Sequence, residues 1–164
     1  MKLVEGVAHV DDLEEFLAAV DRITAETGAI VQVFDARYVV SREQLERAVE
    51  LAERARDRGE EIARDPAVEI LLYAAGRRQI DRALEMGIEE GETPAVAVVV
   101  GNDGDESAAA AALGSLFADA DTLGEYDETR VREFFDVSTA ELAAVDGGLA
   151  DVVLERVALL DVEK

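Results

Sequence analysis

The stretch Pro94 to Val100 (PAVAVVV) decides most about what this chain can fold into. Ala95 to Val100 are all small or β-branched and apolar, which favours extended backbone and leaves neither side of a strand polar. A strand of that kind is stable only when both faces of its sheet are covered. The remaining sequence must therefore supply neighbouring strands and helices to lie on them. With 164 residues, 49% of them apolar, it has the material for one well-filled core.

Other segments are periodic in the way this demands. Leu3, Val4, Val7 and Ala8 mark a first strand, and Ala29 to Phe34 (AIVQVF) a second. Between them Asp12 is placed to cap a helix, with Glu15 three residues on. Leu13, Phe16, Leu17, Val20 and Ile23 form its apolar stripe, and Gly28 ends it. Ser41 and Gln44 open a second helix, striped by Leu45, Ala48, Val49, Ala52 and Ala55 and stopped at Gly59. Asp65-Pro66 starts a third, which Gly76 breaks. The spacing then predicts a short helix over Arg77–Met86, an alanine-rich helix from about Glu106 to Phe117, and an edge strand over Thr122–Tyr126. Two short helices follow, capped by Asp127 and Ser138, and a C-terminal helix comes after Gly147-Gly148. The expected fold is one domain over residues 1–164, α/β in the α+β sense: a single small mixed sheet of about four strands with helices packed against it.

The charge is extreme. There are 38 Asp and Glu against 16 Lys and Arg, a net −22, and the only lysines are Lys2 and Lys164. Self-repulsion of this size weakens a compact fold in dilute buffer. At molar salt the Debye length falls to roughly 3 Å and the repulsion is largely screened. The acidity therefore reads as adaptation to a salt-filled cytoplasm. It does not read as disorder, because the apolar residues are abundant and periodic. No apolar run is long enough to span a bilayer, and Met1 to Glu5 lacks the apolar stretch of a signal peptide. The absence of cysteine excludes disulfides, thiolate metal sites and cysteine nucleophiles.

One window escapes the acid bias. From Ala36 to Arg82 there are ten arginines and ten acids, so that third of the chain is neutral. Such asymmetry points to a polyanion or an acidic partner. Within it lies Gly76-Arg77-Arg78-Gln79-Ile80, where two arginines open a predicted helix at the end whose dipole disfavours cations. Guanidinium forks suit phosphate and carboxylate, and their planes stack on bases. Gln79 can read a base edge, and Tyr73, one turn earlier, would offer a stacking surface. The alternative is that these arginines pair with Glu69, Asp81 or Glu85.

The C-terminal segment is the second anomaly. Leu149, Val152, Val153, Val157 and Leu160 share one helical face, yet Leu154, Ala158 and Leu159 make the other flanks apolar too. Such a helix is either buried or a partner interface.

Catalytic constellations are weak. His9, the one histidine, has no partner in sequence and reads as a polar strand position. Gly101-Asn102-Asp103-Gly104-Asp105 lacks the glutamate of a calcium loop and the lysine of a phosphate loop. It reads as a strand-to-helix turn ending in a cap. Among 38 acids, carboxylate pairs arise by chance. No cofactor or metal is expected, and the chain reads as a binding protein rather than an enzyme.

Three runs, in order along nearly the whole chain, resemble one family. They are Val33-Phe34-Asp35-Ala36-Arg37-Tyr38-Val39-Val40, then Arg64 through Ile80 with its Glu-Ile-Leu-Leu-Tyr and Gly-x-Arg-Gln-Ile, then Glu155 to Leu160. The pattern is similar to that of the Cgi/TPRKB family, the small kinase-binding subunit of the KEOPS (EKC) complex, in an acid-rich, haloarchaeal-type version. Gln44 and Ala75 depart from it, since many members have histidine and serine there. The resemblance implies a non-catalytic subunit that binds the atypical kinase/ATPase of the complex, supports its activity, and captures the 3′ CCA end of tRNA. The complex installs threonylcarbamoyl on adenosine, with the transfer chemistry in another subunit. Together with the arginine segment it makes Tyr73, Arg77, Arg78, Gln79 and Arg64 the candidate tRNA contacts. Val153, Leu154, Val157 and Leu160 become the candidate kinase contacts. A protein-only adaptor without RNA contact, and a small enzyme built on buried carboxylates, are the open alternatives.

Overall fold

The computed structural model describes residues 1–163. In chain order the elements are β1 (Lys2–Val10), α1 (Leu13–Thr27), β2 (Ile30–Asp35), α2 (Arg42–Asp57), α3 (Pro66–Ala75) and α4 (Ile80–Ala83). They continue with β3 (Gly91–Val100), α5 (Glu106–Gly114), β4 (Phe117–Asp119), α6 (Glu128–Phe134), α7 (Thr139–Ala143) and α8 (Gly148–Glu163). Single 3₁₀ turns cover Ala36–Tyr38 and Leu84–Met86. The chain divides into two compact units: Met1–Ala36 with Gly87–Leu123, and Arg37–Met86 with the chain from Gly124 onward.

The first unit holds the sheet, ordered β2-β3-β1-β4. Strand β3 is interior, and every residue from Ala95 to Val100 is buried, as that run requires. All ladders are antiparallel, so the sheet is an α+β one but not mixed. The reason is that the β1–α1–β2 crossover leaves a gap one strand wide, and β3 fills it antiparallel to both neighbours. Val20 and Ile23 of α1 and Ala109 and Leu113 of α5 pack on Ala8, Val33, Ala97 and Val99. Phe16 stacks on Phe117 with ring centroids 6.4 Å apart.

The fourth strand lies at Phe117–Asp119, not at Thr122–Tyr126, and α5 ends at Gly114 instead of running to Phe117. Strand β4 pairs with Gly6–Ala8, and Gly6 is what admits it. A Cβ on Gly6 would lie 2.5 Å from the Phe117 Cβ. The Thr122 segment has other partners. Its N–H and that of Leu123 donate to the Glu5 carboxylate at 3.0 and 2.7 Å, and the Thr122 hydroxyl donates to the Ala95 carbonyl at 2.7 Å. A side chain has taken the place of a ladder.

The second unit is helical, with α2, α3 and α8 packed together. Helix α2 buries Leu45, Ala48, Val49, Leu51, Ala52 and Ala55. Its outer face carries the pairs Arg42–Glu46, Arg47–Glu50 and Glu50–Arg54. Each partner is 42–56% exposed, so these pairs add little stability, but they account for three of the ten arginines of the neutral window. Helix α8 buries the whole predicted stripe, Leu149, Val152, Val153, Val157 and Leu160. No helix is long and apolar enough to cross a membrane among the described residues.

Candidate nucleic-acid and partner interface

The arginine segment is built by the way α3 ends. Gly76 adopts φ +61, and the Gly76 and Arg77 N–H groups donate back to the Tyr73 and Leu72 carbonyls at 3.1 Å. Only glycine fits there, because a Cβ would also meet the Arg156 carbonyl oxygen at 3.1 Å. Helix α4 does not begin until Ile80, so Arg77 and Arg78 lie in the connection between the two helices and do not open α4. The expected conflict with a helix dipole vanishes, since both cations follow a helix C-terminus, where they are favoured.

Arg77 is half-buried. It donates to the Phe134 carbonyl at the end of α6, and its guanidinium carbon lies 5.1 Å from the Phe134 ring centroid. Phe134 is itself fixed edge-on by Tyr38 and Phe135, with centroids 5.5 and 5.0 Å away. Arg78 and Gln79 are exposed, and among the described residues Arg78 has no ion-pair partner. The carboxylates expected as partners lie elsewhere. Glu69 is bonded to backbone at Ile62 and Ala63, while Asp81 and Glu85 are exposed.

Tyr73 is not a stacking surface. Its ring is 0% exposed, and its hydroxyl donates to Asp161 at 3.3 Å. It faces inward because it continues the stripe of a helix in which every residue from Glu69 to Ala75 is buried. Arg64 is exposed but precedes α3, whereas Arg77 follows it. A ten-residue helix separates them by about 15 Å. The five candidate RNA contacts are thus two sites at opposite ends of α3, plus one core tyrosine.

Arg156 completes the region, and sequence reasoning passed it over. It donates to the Phe135 carbonyl at 3.0 Å and the Asp136 carbonyl at 3.1 Å, and grips both oxygens of Glu141 at 2.7 Å. The Arg156 fork holds the Glu141 carboxyl below the usual carboxylate range, and Glu141 in turn raises Arg156. Two arginines therefore cap the carbonyls that end α6, where Asp136 turns into positive φ. A groove of about 370 Å³ opens here, lined by Gly76, Arg77, Asp136, Arg156, Leu159 and Glu163 among others. The one available signal was that Arg156 is the single base of α8, whose other charged residues are all acids.

On α8, Val153, Val157 and Leu160 are 0–3% exposed and belong to the unit's own core, so three of the four expected kinase contacts are structural. Leu154 is half-buried. The apolar groups that do face outward are Leu159 at 37% and Val162 at 79%, with Ala158 beside them.

The other motifs resolve simply. His9 is exposed on β1 opposite Glu92. The Gly101–Asp105 loop is a turn closed by Gly104 N–H to Gly101 O, and Asp105 caps α5 through the Ala108 N–H at 2.9 Å. No cluster able to hold a metal occurs among the described residues.

No curated protein matches the chain. A family model does: the one described as kinase binding protein CGI-121 matches residues 7–161. That span takes in both units and each of the three runs that carried the resemblance, and the chain belongs to the CGI-121 family of kinase-binding proteins.

Proposed function

We propose that the chain is the non-catalytic, kinase-binding subunit of a KEOPS-type complex that installs threonylcarbamoyl on tRNA adenosine, and that it holds the single-stranded 3′ CCA end of the tRNA. On this reading it acts in a salt-rich cytoplasm as one domain, without cofactor or metal. It supports the kinase/ATPase subunit and leaves the transfer chemistry to another subunit.

The family supports the kinase half. On α8, Leu154, Ala158 and Val162 recur every fourth residue beside exposed Leu159, which makes the outer face of that helix the better docking candidate than its buried stripe.

One observation carries the RNA half. Arg78 and Gln79 stand exposed on a backbone fixed by the α3 cap, next in chain to the groove residue Arg77. Unpaired 3′ bases offer open faces and edges to planar guanidinium and amide groups. In molar salt counterion release contributes little, so stacking and hydrogen bonds must dominate. Tyr73 has no part in such a contact.

The test is tRNA affinity at high potassium chloride, with and without the CCA end. The chain is expected to prefer the intact end. Arg78→Ala should lose about fivefold, and Arg77→Ala/Arg78→Ala more, at unchanged kinase affinity. Equal binding by both tRNAs and by all variants would leave a protein-only adaptor.

A further inference from the structure

Glu69 is the most buried acid of the chain, at 0% exposure. A carboxylate removed from water needs donors in place of solvent. Its donors are consecutive backbone N–H groups of the loop between α2 and α3. The Ala63 N–H reaches Oε1 at 2.9 Å, and the Ile62 N–H lies 3.1 Å from both oxygens. No guanidinium joins it among the described residues. Residue 64 follows at once, and Asp65 then caps α3 through the Ala67 N–H at 2.9 Å. The backbone of Arg64 is thus bracketed by two anchors while its side chain stays exposed.

We propose that Glu69 is a positioning residue, whose carboxylate fixes the α2–α3 loop so that Arg64 is presented in one conformation to a phosphate of the RNA. The functional half rests on the RNA reading above. The arrangement suits molar salt, since a buried charge-to-N–H contact is screened far less than a surface ion pair. An ordered loop also removes the affinity penalty of a binding-competent state that is populated only in part. Glutamine would keep an acceptor for the Ala63 N–H but set its NH₂ against the Ile62 N–H, which the carboxylate meets with both oxygens.

The experiment uses the full chain in molar potassium chloride. Hydrogen exchange at the Ile62 and Ala63 amides should be slow, and about tenfold or more faster in Glu69→Gln, with Leu72 in the middle of α3 unchanged. Free exchange of those two amides in the unaltered chain overturns the proposal, even if Glu69→Gln does not fold. The second readout is affinity for a tRNA transcript ending in CCA. Glu69→Gln and Arg64→Ala should each weaken it about fivefold, and the double variant no further. Multiplying losses would show that Glu69 does not act through Arg64, and overturn the proposal. Intact RNA affinity in Arg64→Ala removes its functional half while the exchange result still reports on the loop. The Arg78→Ala arm then tells whether RNA binding fails as a whole.

Discussion

The two units share one chain and one solvent but not one charge pattern. The sheet unit has two bases, Lys2 and Arg22, against sixteen acids. The helical unit has fourteen bases against twenty-two acids. Adaptation to salt would act on any exposed surface, so it would account for the first unit but not for the second. What differs is work for guanidinium groups. Arg42, Arg47 and Arg54 pair along α2, Arg77 and Arg156 close the end of α6, and Arg64 and Arg78 are exposed. Lysine would serve in the first role but not the second, which needs a planar fork with several donors.

The largest effect expected from this contrast is on stability. Lowering potassium chloride from molar to about 0.1 M should cost a few kcal/mol, roughly 10 °C or more in Tm. Replacing Glu14, Glu15, Asp21 and Glu26 of α1 by neutral amides should recover more of that loss than the same number of changes at Glu43, Glu46, Glu50 and Glu53 of α2. Two of the latter, Glu46 and Glu50, already pair with arginines. Equal recovery, measured by thermal melts across a salt series, would break the contrast.

How much of this was legible follows from which forces act locally. The interior strand was, because six successive apolar residues admit no other place. The caps at Asp12, Ser41, Asp65, Asp105, Asp127 and Ser138 were, because a cap involves only its own first turn. Strand β4 was not. Its three residues are extended by pairing with Gly6–Ala8, more than a hundred positions away, and nothing in their own sequence demands it. The site was legible as composition, an arginine-rich neutral stretch, but not as geometry. Tyr73 and Arg77 are four residues apart, and one is core while the other, past the end of α3, lines a groove. Gln44 was legible only as a residue that opens α2, where its N–H donates to the Ser41 hydroxyl at 3.2 Å. Its buried amide also accepts from the Val40 N–H and donates to the Ala74 carbonyl, both at 2.9 Å, tying α2 to the end of α3.

Arg156 tests the second role of arginine next. Arg156→Met keeps the stem packed but leaves the Phe135 and Asp136 carbonyls and the Glu141 carboxylate without their donor. About 3 kcal/mol of stability should go, and Arg156→Lys should restore less than half, having no fork. Chemical denaturation of the three proteins decides it, and full rescue by lysine would reduce the role to simple charge. Gly76→Ala comes below that, at about 2 kcal/mol, from the strained positive φ and the approach to the Arg156 carbonyl. If the proposed RNA contact holds, it should also weaken tRNA binding at unchanged kinase affinity, since the cap it distorts carries Arg77 and Arg78.

The smallest effect belongs to Glu141, whose side chain is 30% exposed. Arg156 holds its folded-state pKa below the unfolded value of about 4.3. The contact therefore stabilises the fold fully above that pH and is lost as pH falls through the lower, folded value. The difference in stability between the unaltered chain and Glu141→Gln should be constant from about pH 6 to 8 and shrink below pH 4. Taking the difference cancels the acid response of the other carboxylates, which a protein of net charge −22 would otherwise let dominate. A gap that instead closes above pH 5 would mean that Arg156 does not hold the ionised carboxylate. The helical unit would then lose its one contrast with the α2 pairs, a guanidinium that binds carbonyls and a carboxylate at once.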